Sequence, residues 1–158
     1  MGSLSPPSPH SIPRQLTISI QLLQYPLPPI TVVALIDCGA SGNFVDPSLL
    51  AHHNLITQPH PQPIPLELID GSPPAAGPIT CYYDAKVRCP GNHTETLHLD
   101  VTRLAHYSVV LGFPWLHKHN PTVDWQARQV SFTNLHCEAD CLVFSLSPPT
   151  PSTPIPLP

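Results

Sequence analysis

Val32-Val33-Ala34-Leu35-Ile36-Asp37-Cys38-Gly39-Ala40-Ser41-Gly42-Asn43-Phe44-Val45-Asp46 is the stretch whose reading decides the fold. Five apolar residues run into a single carboxylate. Small residues and two glycines follow, and then a second short apolar pair. An apolar run bounded by glycine reads as a buried strand. It delivers Asp37 to a sharp turn at the strand end, and Phe44-Val45 starts a new strand. A carboxylate at the edge of a core is costly to bury unless it is paired or used. Asp37 is therefore the first functional candidate.

The flanks of this stretch are extended as well. Leu16 to Leu22 alternates apolar and polar residues, the mark of a half-buried strand. Tyr25-Pro26-Leu27-Pro28-Pro29 breaks it and Ile30 to Ile36 follows, which predicts a β-hairpin. Beyond Asp46, Pro47 at the start and Asn54 near the end bracket one or two short helical turns, with His52 and His53 at the solvated end. Prolines at 59, 61, 63 and 65 make Gln58 to Pro65 extended and keep it out of the middle of a sheet. Ile64 to Ile69 and Ile79 to Ala85 predict a second hairpin. Its loop is small, nearly uncharged and contains Asp70-Gly71-Ser72. Such a loop is either a surface connection or a cover for a cleft.

Pro90 to His93 turns the chain, and Thr94 to Val101 alternates again. Tyr107 to Gly112 is a second apolar run ending in glycine. Phe113 to Asn120 predicts a short helix with Phe113 and Leu116 on its buried face. Pro121 to Trp125 and Gln129 to Phe132 predict a last hairpin. Trp115 and Trp125 read as core residues. The ten histidines follow no ligand spacing and read as surface residues.

Composition narrows the function. The 158 residues allow one domain with flanks, and 24 prolines against 7 glycines disfavour long helices. A net charge of -4 without a basic patch argues against direct nucleic-acid binding. No apolar run approaches the roughly 20 residues that span a bilayer. Residues 1–14 are a Pro/Ser-rich flank without a signal-peptide layout, residues 15–135 form the domain, and 136–158 are a C-terminal segment ending in a proline-rich linker. Without a secretory signal the five cysteines read as reduced thiols of a cytoplasmic protein. Asn92-His93-Thr94 is a glycosylation sequon that is only a polar turn in that setting. Cys137 and Cys141, beside His136, have helical spacing for zinc, but no second Cys/His pair lies near them in sequence. A zinc-binding interaction module is a distant alternative.

Ala34-Leu35-Ile36-Asp37-Cys38-Gly39-Ala40-Ser41 resembles the active-site segment of the retroviral-type aspartic proteases. Val109-Val110-Leu111-Gly112-Phe113-Pro114-Trp115-Leu116 resembles their later apolar-apolar-Gly segment, in the form found in gypsy-type LTR retroelements and their domesticated descendants. Asn120-Pro121 and Asp124-Trp125 fit the same subgroup, over roughly residues 15 to 135. The resemblance implies an all-β fold, a retropepsin-like closed barrel with one short helix, functional as a homodimer. It implies that Asp37 is catalytic, within an active-site loop of Cys38, Gly39, Ala40 and Ser41. Leu111 and Gly112 would support that loop, and Ile69, Asp70, Gly71 and Ser72 would belong to the flap over a polyprotein substrate.

Two carboxylates sharing a proton, with water as the nucleophile, are what amide hydrolysis of this type needs, so the resemblance implies no metal or organic cofactor. With one Asp-x-Gly-Ala segment in the chain, the second must come from another copy. Gly39 would allow the tight turn, and Ser41 would hydrogen-bond locally. Cys38 stands where the family usually has Thr or Ser, whose hydroxyl bonds across the dimer. A thiol is a weaker donor, which implies a looser loop and a weaker dimer. A weak or inactive protease-like remnant, acting as a spacer or self-association module, is the alternative. A nucleophilic Cys38 is the rival within the loop, but no His or Asn is tied to it by a motif.

Overall fold

Alternation in the first strand decides which face points inward. In the computed structural model, which describes residues 15–66, 77–133, 137 and 141, strand β1 (Leu16–Gln24) buries Leu16, Ile18, Ile20 and Leu22. Strand β2 (Leu27–Ile36) returns antiparallel and buries Ile30, Val32 and Ala34 against them. Both sets are i, i+2 neighbours, so each strand shows one face to the core.

After β2 the chain forms β3 (Phe44–Val45), helix α1 (Pro47–His52), β4 (Gln58–Ile64), β5 (Ile79–Cys89), β6 (His93–Val101), β7 (Val109–Leu111), helix α2 (Phe113–His119), β8 (Thr122–Asp124) and β9 (Gln129–Ser131). The main sheet runs β1-β2-β7-β3-β6-β5-β4, and β5 also pairs with β1. That extra pairing, Gln21 with Arg88 through Leu23 with Lys86, closes β1, β2, β7, β3, β6 and β5 into a barrel. Closure removes exposed strand edges. β8 and β9 form a separate hairpin.

Strand β5 is long enough to serve two partners. Its first part pairs with β4 (Gln58 with Tyr82, Ile64 with Ile79) and its later part with β1. The proline-rich strand β4 lies at the end of the sheet order, where missing N–H donors cost least. The strand covers Gln58–Ile64, the segment read only as extended, and of the predicted strand Ile64 to Ile69 it includes Ile64. Pro65 and Leu66 lie outside the strand, and residues 67–69 are outside the described residues.

Among the described residues the two short α-helices lie at the two proline-led places where the pattern predicts helical turns, one more than the resemblance implies. Helix α1 is complete because Asp46 caps it and Pro47 occupies its first turn. Helix α2 buries Trp115 and His119, four residues apart and therefore on one face. Phe113 is 54% exposed, which corrects its predicted place on the buried face. At 3.6 residues per turn it lies about 200° round the helix from Trp115. Trp125 is 70% exposed, so it is not core; it follows β8, in the turn to β9.

His93 and His119 are fully buried, which corrects the reading of every histidine as a surface residue. Burial is tolerated because Glu95 accepts hydrogen bonds from His93 Nε2 (2.8 Å), His119 Nε2 (2.8 Å) and Trp115 Nε1 (2.9 Å). Burial alone would raise the Glu95 pKa, but the bonds from His119, His93 and Trp115 outweigh it and hold the carboxyl at about 2. Glu95 is thus an anion, and both imidazoles donate from Nε2. Cys137 and Cys141, in the C-terminal segment of the sequence, pack into the same core. Among the described residues no helix is long and apolar enough to cross a membrane.

Asp46 joins two elements. Its carboxylate accepts from the Ser48 amide (2.8 Å) and hydroxyl (2.7 Å) and from the Leu104 amide (2.7 Å). Desolvation pushes its pKa up, but these donors and Arg103 bring it below the ordinary 3.8. A depressed folded-state pKa contributes stability that is present above the unfolded value and lost as pH falls through the folded one. Asp46→Ala is expected to cost about 1–2 kcal/mol in urea unfolding at neutral pH. The wild-type advantage should persist down to about pH 5 and shrink below about pH 4. An advantage that stays constant into acid would contradict the assignment.

Candidate active site

Asp37 is placed by the way β7 is threaded. β7 pairs parallel with β2 on one side (Ile36 with Leu111) and antiparallel with β3 on the other (Phe44 with Val110). The loop of residues 37–43 must therefore cross from β2 to β3 over the end of β7. Three backbone donors tie the two segments together. The Asp37 amide donates to Leu111 O (2.9 Å), the Phe113 amide to Ala40 O (2.9 Å), and the Gly112 amide to Asn43 Oδ1 (2.9 Å).

Within the loop, the Ala40 amide donates to Asp37 O at 3.1 Å, closing a turn. The Gly39 amide donates to Asp37 Oδ1 at 2.9 Å and orients the carboxylate. That is the only side-chain hydrogen bond of Asp37 among the described residues, so Oδ2 is left for a partner from outside. Asp37 is half-buried, whereas Cys38, Gly39 and Ser41 are exposed. A lone, oriented carboxylate on an exposed loop can accept one proton; it cannot by itself serve as acid and base together.

Gly112 is the tightest point. A Cβ there would stand 2.1 Å from Gly42 O and 2.7 Å from Ala40 O. No side chain fits, because the backbones of the two segments touch. Gly39 is less demanding. It is not in the left-handed region, and a Cβ would meet only Asp37 Oδ1 at 3.4 Å. The turn's need for glycine is therefore weaker than the sequence implies.

The structure brings Asp37, Cys38, Gly39, Ala40, Ser41, Leu111 and Gly112 together. The Ser41 hydroxyl, expected to bond locally, has no partner among the described residues; Asn43 is the polar side chain of the loop that bonds, and it reaches across to the Gly112 amide. Asn43 escapes the sequence reading, although an Asx side chain after glycine in a turn is a recognisable signal. Ile69, Asp70, Gly71 and Ser72 lie outside the described residues. On either side of them, Leu66 and Ile79 pack with Phe44, Val110, Leu35, Ala40 and Leu104. The base of that hairpin therefore rests on the strands that carry the Asp37 loop. A groove of about 610 Å³ beside β1 and β9, lined by Thr17, Arg128 and Phe132 among others, has no carboxylate among its described lining residues.

Residues 33–141 match the family model described as the PEG10/RTL1 protease domain. The chain belongs to this family. The protease domain so matched includes the Asp37 loop, the β7–α2 segment and both Cys137 and Cys141. The crystal structure of the retroviral protease-like domain of Ddi1 from Leishmania major has the same fold. It superposes with a TM-score of 0.52 at 12% identity, over 77% of this chain and 89% of that one. The fold is thus that of a retropepsin-like, aspartic protease-type domain.

The contact at Gly112 makes a sharp contrast measurable. Gly112→Ala is expected to destabilise the domain by about 3–5 kcal/mol, at the severe end of single substitutions. Gly39→Ala should cost less than about 1 kcal/mol, because its Cβ has room. Equal losses in denaturant midpoints would mean that the crossing of the two segments is not the tight point.

Proposed function

We propose that the domain is an aspartic-type endopeptidase that works as a homodimer and cleaves the retroelement-derived polyprotein from which it comes. The observation that carries this reading is the Asp37 carboxylate itself. It sits at the end of β2, is oriented through one oxygen by the Gly39 amide, and leaves the other oxygen without a partner among the described residues. The exposure of Cys38, Gly39 and Ser41 beside it leaves a surface for a second copy. Phe113, 54% exposed, bonds through its amide to Ala40 and places an uncovered aromatic ring next to that surface.

Apposed at a two-fold axis, the two Asp37 carboxylates share one proton. The ionised one removes a proton from a water between them, and that water attacks the scissile carbonyl carbon. The protonated one gives its proton to the carbonyl oxygen. The tetrahedral intermediate then breaks its C–N bond as a proton moves to the leaving nitrogen, and the products are a carboxyl group and an amine. No cofactor enters. Like charges a few ångströms apart cannot both ionise, so the pair titrates as one unit and activity has a bell-shaped pH profile. Aspartic proteases as a class behave this way, and the expectation is carried over from them.

The substrate is an extended peptide that adds as a strand to the cleft. The segment of residues 66 to 80, with Ile69, Asp70, Gly71 and Ser72, acts as the flap. Leu111 and Gly112 hold the catalytic loop from behind. Cys38, Cys81 and Cys89 carry free thiols, which suits work in a reducing cytoplasm.

Cleavage of the parent polyprotein by wild type and Asp37→Asn, with sedimentation of both, tests the proposal. Asp37→Asn should remove cleavage while still dimerising, and added to wild type it should lower activity beyond dilution. Cleavage that survives Asp37→Asn would sink the reading. Cys38→Thr should restore a hydroxyl in each copy. At about 1 kcal/mol per hydrogen bond, two copies tighten the dimer roughly 30-fold, with activity at low concentration rising accordingly.

A further inference from the structure

Outside the catalytic loop, three distant parts of the chain converge on one buried point. His93 opens β6, His119 ends α2, and Cys137 and Cys141 lie beyond β9. All four are buried, and one potential ligand atom from each lies within 4.8 Å of the other three. The Cys141 amide donates to Cys137 O at 3.0 Å, so the two cysteines are one helical turn apart and share a face. Thr94 fixes this turn to β6, its amide (2.7 Å) and hydroxyl (3.2 Å) both donating to Cys141 O.

Glu95 determines which imidazole atoms face the thiols. It takes Nε2–H of both histidines, so Nδ1 is the atom each has left to offer. His119 Nδ1 stands 3.3 Å from Cys137 Sγ and 3.8 Å from Cys141 Sγ. Donors around a tetrahedral zinc, at Zn–N about 2.0–2.1 Å and Zn–S about 2.3 Å, are separated by roughly 3.3–3.8 Å. A thiol-to-imidazole hydrogen bond would explain the Cys137–His119 contact alone. It leaves His93 Nδ1, which is buried without a hydrogen-bond partner among the described residues. An unsatisfied buried polar atom of that kind costs about 1–3 kcal/mol. A cation at the centre of the four satisfies it.

We propose that His93, His119, Cys137 and Cys141 bind one zinc ion as a closed structural site. Two thiolates and two neutral imidazoles are the soft donor set that suits tetrahedral zinc. Binding displaces one proton from each thiol, and the two thiolate charges balance the dication in a region that water does not reach. Four protein ligands leave no open position, so the ion does not activate water. Glu95 is the carboxylate that orients both ligating histidines from behind. Phe132 stacks on His93 at 3.8 Å and Trp115 packs against His119 at 5.4 Å, forming the apolar wall. The site ties Cys137 and Cys141 to the barrel. It is independent of Asp37 and stands whether or not the domain cleaves peptides.

Native mass spectrometry of the full chain should show one zinc per chain, with two protons lost. Cobalt substitution should give the ligand-field bands of a tetrahedral ion and thiolate-to-metal charge transfer. Cys137→Ser combined with Cys141→Ser should abolish both signals, and Asp37→Asn should leave them unchanged. Glu95→Gln should weaken zinc affinity about 10–100-fold. A wild-type cobalt spectrum without thiolate bands would overturn the site, as would zinc retained undiminished by a folded double serine variant. If that variant fails to fold, the wild-type cobalt spectrum decides alone.

Discussion

The backbone contact at Gly112 is the constraint on which the Asp37 side of the molecule depends. β7 lies between β2 and β3 and pairs with both. The chain that leaves β2 must therefore pass over the end of β7 to reach β3. It passes so close that a single methyl group at position 112 would overlap Gly42 O and Ala40 O. The same closeness lets Leu111 O, Ala40 O and Asn43 Oδ1 take amide donors from the opposite segment. A carboxylate mounted on such a loop has little freedom. Preorganised placement of a reacting group lowers a barrier because the ordering cost is met during folding.

The other end of the barrel is organised around a charge. Glu95 is buried as an anion, which is costly by itself, and its carboxylate is matched by donors from His93, His119 and Trp115. Two of those donors come from α2, the helix that starts at Gly112. Helix α2 thus connects the two centres: its N-terminus abuts the Asp37 loop, and Trp115 and His119 on its inner face meet Glu95 and the two C-terminal cysteines.

Much of the strand pattern is legible in the sequence. The alternation in Leu16 to Leu22 and Thr94 to Val101 gives strands whose apolar members point inward, because pleating sends successive side chains to opposite faces. The prolines of β4 declare an edge. The apolar-Asp-x-Gly and later apolar-Gly segments are readable as a pair and lead to the family. Phe113 and Trp125 mislead because hydrophobicity reports what a side chain prefers, not where the helix phase or the hairpin turn points it. Sequence alone favours Ser41 over Asn43 without good reason, since both are capable turn residues and only the position of the Gly112 amide selects between them.

The histidines show the limit most clearly. Residue types and short-range periodicity determined the strands, the two capped helices and the lone carboxylate at a turn, because those depend on neighbours within a few positions. His93, His119, Cys137 and Cys141 are spread over nearly 50 positions of sequence, and local spacing links only the two cysteines. Only barrel closure and the packing of α2 bring them within 4.8 Å. Only the tertiary fold, likewise, laid Gly112 against the Asp37 loop. Local chemistry is written along the chain; which distant groups share a low-dielectric interior is decided when the sheet closes on itself.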